Sequence, residues 1–352
     1  MKKNKKYEYA IDGRQLMGMM GGVQRYISEI LTELDKIAPK GLIQVVIPKE
    51  GECTFEFENL EIVRYGKLKG LLWEQIDFPA YLIKNKKYGI FMCTVVSMLY
   101  PKGIAVIHDV MPAKFPDIAK QMGSFFARNM LLLNYYIAAK FSTKLVTVSK
   151  QSARDIEEIY GRSADSITII GNAWQHILRQ ESDDSWRERF PNIKKGEYFF
   201  TLSANRKQKN FKWIYEVAKR NPDKLFLMAG TVEEWQRNEK AEKADNIIQL
   251  GFVSDAEVKS LMSGCKAFLF PSFYEGFGIP PMEALACGAK IVIARASCLP
   301  EIYQDSAYYI DPYDYEVDLD KLLETNVASP NDCLSRFGWD KSAEKLLSLI
   351  QE

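Results

Sequence analysis

Short apolar runs alternate with longer amphipathic stretches along most of the 352-residue chain. In the first half, the runs at 7–11, 42–47, 60–63, 89–93, 104–107, 145–148 and 167–170 have the length of buried strands. Between them, apolar residues recur at helical spacing over 23–37, 72–84, 124–141 and 152–160. Strands alternating with helices predict parallel βαβ units wound on both faces of a sheet. Around 175–192 the pattern lapses into a polar stretch, QHILRQESDDSWRERFPN, which reads as a linker. It then resumes, with strands expected at 198–202, 225–229, 247–250, 267–270, 290–293 and 307–310 and helices at 211–219, 256–263 and 281–286. A last helix is expected over 341–350.

The expected fold is therefore α/β, two Rossmann-like doubly wound domains, since 352 residues exceed what one core usually supports. The first domain is expected over 1–175, a linker over 176–194, the second domain over 195–335, and a helix in 336–352 packing back toward the first domain. Such sheets take ligands at the carboxyl ends of their strands, so the two domains are expected to face one another across a cleft that holds the active site. No repeat or low-complexity tract breaks this pattern.

Composition narrows the function classes. A chain 47% hydrophobic and 26% charged is an ordinary globular one. No apolar run reaches the length of about 18 residues that a membrane helix needs, and the basic residues 1–6 lead into a strand instead of a signal-peptide core. A cytoplasmic protein is expected. The six cysteines form no CxxC pair and read as reduced thiols, and with two histidines a His-rich metal site is not available. The net charge of +1 hides an asymmetry: residues 1–180 hold 25 Lys and Arg against 18 Asp and Glu, a balance of +7, which leaves −6 for the rest. The basic half suits phosphates or an anionic membrane surface, or is simply a solvated surface. No aromatic–basic interleaving supports a nucleic-acid partner.

Four loops carry candidate chemistry. In 12–25 (DGRQLMGMMGGVQR), Gly21 and Gly22 open a helix and leave backbone N–H groups for an anion, although no GxGxxG is present. His108 and Asp109 follow the strand at 104–107, where side chains enter a cleft, whereas His176 in the linker reads as structural. The loop 203–210 (SANRKQKN) gathers Arg206, Lys207 and Lys209 before a helix and suits a diphosphate. The stretch 269–288 (LFPSFYEGFGIPPMEALACG) sets Glu275 on a loop and Glu283 in a helix opened by two prolines and closed by Gly288. Two acids with flexible glycines between them suggest a pocket floor that accepts hydrogen bonds from ligand hydroxyls.

These residues resemble a known family. Glu275 and Glu283 make an E-x7-E pattern, and 251–255 (GFVSD), 270–288 and 299–301 (LPE) are similar to the retaining GT-B glycosyltransferases of glycosyltransferase family 4, which include bacterial mannosyl-, glucosyl- and rhamnosyltransferases. In the first half, 21–26 (GGVQRY), 72–75 (LWEQ), 107–112 (IHDVMP) and 146–149 (VTVS) resemble the same family, as does FGW at 337–339, so the likeness covers nearly the whole chain.

The resemblance implies transfer of a hexose from a nucleoside diphosphate sugar to a hydroxyl of a saccharide or lipid-linked saccharide, with retention, in bacterial cell-surface polysaccharide assembly. It implies that Glu283 holds the ribose hydroxyls and Glu275 the donor sugar, with the N–H groups of Phe277, Gly278 and Ile279 on sugar and phosphates. Lys209 and Arg206 would neutralise the leaving diphosphate, Gly22 would lie against it, and His108 would contact the donor sugar, while Asp109 and Arg14 are expected as acceptor or cleft residues. The departing phosphate can itself take the acceptor's proton, and no metal or other cofactor is expected; Asp318 and Asp320 read as helix-start polarity. Two departures stand out: Ala204 replaces the family's usual basic residue five positions before the lysine, and Gly171–Ala173 replace its Pro-Asn-Gly turn. A non-catalytic partner subunit of the same fold, and a GT-B synthase or epimerase, are the alternatives. Lys67, Lys69 and 71–73 (LLW) form either a basic and apolar patch for peripheral membrane docking or a core helix with charged flanks.

Overall fold

The computed structural model describes residues 8–18, 21–119, 124–202, 207–230 and 244–352. The chain divides into two units, the first made of residues 1–172 with 339–352 and the second of 173–338. Each is built on one parallel sheet, and all thirteen expected strands form.

In the first unit the order is β3(Glu61–Arg64), β2(Ile43–Ile47), β1(Tyr9–Asp12), β4(Tyr88–Phe91), β5(Gly103–Val106), β6(Lys144–Thr147) and β7(Ile167–Ile169). β1 pairs with β2 on one side and β4 on the other, so the winding reverses there. The strands at the centre are buried on both faces, as parallel sheets covered by helices require. Helix α1(Gly22–Ile37) keeps Ile27, Ile30, Leu31 and Leu34 inside, and a three- to four-residue spacing of this kind is what docks a helix on a sheet. Residues 72–84, expected as one helix, contain a π-turn at Trp73–Asp77 leading into α2(Phe78–Asn85). Trp73 is a core residue, stacked on Phe78 at 5.4 Å with its indole N–H donating to the Tyr65 carbonyl at 2.7 Å, so the membrane patch drawn through it is corrected. α3(Phe125–Phe141) and α4(Lys150–Tyr160) follow. The C-terminal helix, Trp339–Gln351, belongs to this unit and lies along α1.

The second sheet repeats the scheme as β10(Ile247–Gly251), β9(Leu225–Ala229), β8(Tyr198–Leu202), β11(Ala267–Phe270), β12(Ile291–Ala294) and β13(Tyr308–Ile310). Residues 176–194 are not a linker. They belong to the second unit, carry α5(Gln175–Arg179), and bury Trp186, whose indole N–H donates to Ser260 at 2.9 Å. Polar composition concealed this because the buried apolar residues, Ile177, Trp186 and Ile193, are few and widely spaced. Further helices are α6(Phe211–Arg220), α7(Asp255–Gly264), α8(Ile279–Ala286), α9(Leu299–Tyr303) and α10(Leu319–Leu323). Asp318 caps α10 by accepting from Asp320 and Lys321 N–H groups, the helix-start role expected of it.

Candidate active site

The second sheet reverses its winding between β8 and β11, the place where doubly wound sheets open a crevice. Lys209 stands in the single 3-10 turn at Lys207–Lys209 that follows β8 on the way to α6. Glu275 stands in the loop after β11. The Lys209 ammonium lies 2.7 Å from Glu275 Oε1 and 4.8 Å from the centre of the Phe270 ring, and both side chains keep a little solvent exposure. The turn is fixed from below. Asn210 adopts the left-handed region, φ +55°, and its buried amide donates to the carbonyls of Pro271 and Pro312, while Phe273 N–H donates to the Gln208 carbonyl at 2.8 Å. Ser297 holds the other side, donating its hydroxyl to the Glu275 carbonyl at 2.8 Å and accepting from Glu275 N–H at 3.3 Å.

Gly278 is required where it stands. Its φ is +85°, and a Cβ there would come within 2.8 Å of Leu299 Cδ2. Tyr303, buried on α9, donates its hydroxyl to the Gly278 carbonyl, so the LPE segment serves as a buttress beneath this glycine. α8 begins at the next residue with Pro280 and Pro281 in its first turn. Phe277 is buried edge-on against Phe337 at 5.2 Å. Glu283 on α8 meets His176 of α5, with Nε2 2.5 Å from Oε1. Trp174 and Gln175 donate to the carbonyls of Leu334 and Phe337, which pins the backbone ahead of that histidine. His176, expected to be structural in a linker, thus sits in the candidate site.

The first sheet reverses between β1 and β4, and a buried polar cluster lies at their carboxyl ends. Asp12 Oδ1 accepts from Arg14 N–H at 3.1 Å, and Glu74, on the π-turn, accepts from Arg14 Nε at 2.6 Å. The second oxygen of each carboxyl is buried without a hydrogen-bond partner. Burial, and then the nearby Glu74, push Asp12 up to about 8; burial also raises Glu74. Two buried carboxyls beside one guanidinium cannot both ionise cheaply, so one holds a proton. Cys93 completes the cluster, and donor atoms of Asp12, Glu74 and Cys93 lie within 4.8 Å of one another. The guanidinium already on Glu74, together with a thiol raised by burial, makes this an internal acid pair and a poor cation centre.

His108 follows β5. Its Nε2 donates to the Met92 carbonyl at 2.9 Å, which leaves Nδ1 as an acceptor. Burial lowers its pKa, so the ring is neutral near pH 7. Tyr26 of α1 meets the ring edge-on at 4.8 Å and donates to the Ile170 carbonyl. Asp109 caps the turn at Met111–Lys114 through Met111 N–H at 2.9 Å. Gly22 is the first residue of α1, and a Cβ built on it would meet nothing within 4 Å.

The structure thus brings Lys209, Glu275, Phe277, Gly278, Ile279 and Glu283 into one loop-and-helix cluster of the second unit. His108, Asp109, Arg14 and Gly22 stand at strand ends of the first. Arg206 lies outside the described residues. Asp12, Glu74 and Tyr26 were given no role from sequence, although they lie inside the quoted 12–25, LWEQ and GGVQRY, and His176 was read as structural.

Residues 182–333 match the family of glycosyl transferases group 1. O-antigen chain mannosyltransferase B of Escherichia coli is 35% identical over 202 residues, 52% of each chain, so this chain spans about half of that relative's length. O-antigen chain mannosyltransferase RfbU of Salmonella typhimurium is 26% identical over 337 residues, 90% of each chain. Among solved structures, Anabaena HepE in complex with UDP and glucose superposes with a TM-score of 0.68 at 14% identity, covering 98% of this chain and 99% of that one, a likeness of fold. On these findings the chain has the two-sheet GT-B fold, and its second unit carries a segment, 182–333, that matches the glycosyl transferases group 1 family.

Proposed function

We propose that the protein transfers a hexose, mannose by the likeness to the two O-antigen enzymes, from a nucleoside diphosphate sugar to a hydroxyl of a saccharide or lipid-linked saccharide. Retention at the anomeric carbon, cytoplasmic location and a place in bacterial cell-surface polysaccharide assembly belong to the same reading. The observation that carries it is the Lys209–Glu275 pair at the winding reversal of the second sheet, one helix turn and a glycine away from Glu283.

As the bond to phosphate breaks, negative charge grows on the diphosphate and positive charge on the ring. Lys209, with Arg206, stabilises the first; such preorganised charge is worth several kcal/mol, about 10² or more in rate. Glu275 accepts hydroxyls of the sugar, Glu283 those of the ribose, and the N–H groups of Phe277, Gly278 and Ile279 face the phosphates. Gly22 leaves open space for the diphosphate to approach a helix start. A neutral His108 offers Nδ1 as an acceptor and does not oppose positive charge on the sugar. Arg14 and Asp109 are assigned to the acceptor or to the cleft wall. The cations come from side chains, so no metal is needed.

Peripheral membrane association is proposed on the first unit, where Leu71, Leu72, Phe125 and Phe126 are exposed and Lys67 and Lys69 are nearby in sequence. Among the described residues no helix is long and apolar enough to cross a membrane. Thermal-shift screening against GDP-, UDP- and dTDP-sugars, then hydrolysis assays with the hits, tests the assignment. A Glu275→Ala variant that kept full turnover would sink it.

A further inference from the structure

The segment leading into α5 departs from the family turn that the sequence resembles, and it brings a histidine into the site. His176 is buried, and its Nε2 lies 2.5 Å from Glu283 Oε1. An ionised carboxylate only accepts, so the ring nitrogen is the donor. The contact is held from both ends. Glu283 projects from a helix with two prolines in its first turn, and the chain before His176 is tied by Trp174 and Gln175 to Leu334 and Phe337. Phe337 in turn packs on Phe277 of the donor loop. A carboxylate on a side chain with three rotatable bonds is thereby tethered at Oε1.

We propose that His176 is a positioning residue for nucleotide recognition: by holding Oε1 of Glu283 it aims the remaining oxygen at the ribose and sets discrimination between ribo- and 2′-deoxyribonucleotides. This rests on the assignment of Glu283 to the ribose. A charge-assisted bond from the ring both restricts rotation of the carboxylate and spares the protein the cost of ordering it when nucleotide binds. A simple packing role would leave ribose preference untouched.

The test measures dissociation constants by titration calorimetry for GDP and 2′-deoxy-GDP, with UDP and dUDP as a second pair, on the wild-type chain and on His176→Gln and His176→Leu. Wild type is expected to bind the ribonucleotide at least about tenfold more tightly than the deoxy form. His176→Leu should bring that ratio close to one, with the larger loss of affinity falling on the ribonucleotide. His176→Gln, whose amide nitrogen can reach the place of Nε2, should restore much of it. A His176→Leu protein that folds and keeps the wild-type ratio overturns the proposal. A wild-type chain that binds both forms equally, with Glu283→Ala unchanged, overturns the ribose assignment of Glu283 instead, so the two failures are distinguishable. Loss of affinity for both forms equally in His176→Leu would mean a structural role only and would also overturn it.

Discussion

Lys209 Nζ and Glu275 Oε1 are 2.7 Å apart, so the group assigned to the leaving diphosphate and the group assigned to the sugar neutralise one another directly. Removing either leaves the other partly buried and unpaired. Lys209→Met and Glu275→Gln are each expected to lower kcat/KM by about 10² or more. Each should also cost about 1–2 kcal/mol in stability. The double variant should recover part of the stability and none of the activity, which urea melts and product assays on the four proteins would separate.

Gly278→Ala should be costly without touching a charged group. The new Cβ meets Leu299 Cδ2 at 2.8 Å in a backbone region that disfavours side chains. A loss of about 1–3 kcal/mol is expected, with activity falling further because α8 shifts. Tyr303→Phe removes only the hydroxyl on the Gly278 carbonyl and should cost about 1 kcal/mol. Thermal melts that showed Gly278→Ala as stable as wild type would contradict this account of the loop.

The acid pair in the first unit predicts a pH dependence of stability. Asp12 titrates at about 8 in the folded chain and at the ordinary carboxyl value, about 3.9, when unfolded. Between those values the folded state binds the extra proton, so stability declines as pH rises toward 8 and levels off above it. Asp12→Asn keeps the acceptor for Arg14 N–H and cannot ionise. Its melting temperature, plotted against pH from about 5 to 8.5, should fall less than that of wild type; parallel curves would rule out the shared proton.

Chelation is the test of a metal-free mechanism. Prolonged treatment with EDTA is expected to leave turnover unchanged, because Lys209 and Arg206 supply the positive charge, and a loss restored by one divalent ion would contradict it.

Membrane docking has a correspondingly narrow test. Replacing the exposed Leu71 and Leu72 by serine, with Lys67 and Lys69 kept, should weaken co-sedimentation with vesicles containing phosphatidylglycerol and spare the fold, since neither leucine is in the core. Trp73 is unsuitable for this purpose because its loss would leave a cavity beside Phe78.

All thirteen strands were legible because buried parallel strands write themselves as short apolar runs. Glu275, Gly278 and Glu283 were legible for a related reason: they share one local motif. What escaped was contact between distant segments. Arg14 and Glu74 are 60 positions apart, and His176 and Glu283 are 107 apart, so no window of sequence contains either pair. The polar stretch at 176–194 misled because the few buried residues that fix it to the second unit, His176, Ile177, Trp186 and Ile193, are spaced among polar ones. Gly22 shows the converse: a Cβ built on it would meet nothing within 4 Å, so its local geometry demands no glycine.

The C-terminal helix carries a consequence for biosynthesis. It belongs to the first unit, burying Trp339 and Leu346 there and accepting from Lys144 at the Leu349 carbonyl, while Ser342 donates to the Gly171 carbonyl. The second unit is therefore complete in the nascent chain before the first, which must wait with one flank of α1 uncovered until residues 339–351 leave the ribosome. Order of synthesis and order of completion run in opposite directions, and a chain truncated after residue 338 would carry all of the second unit attached to an unfinished first one.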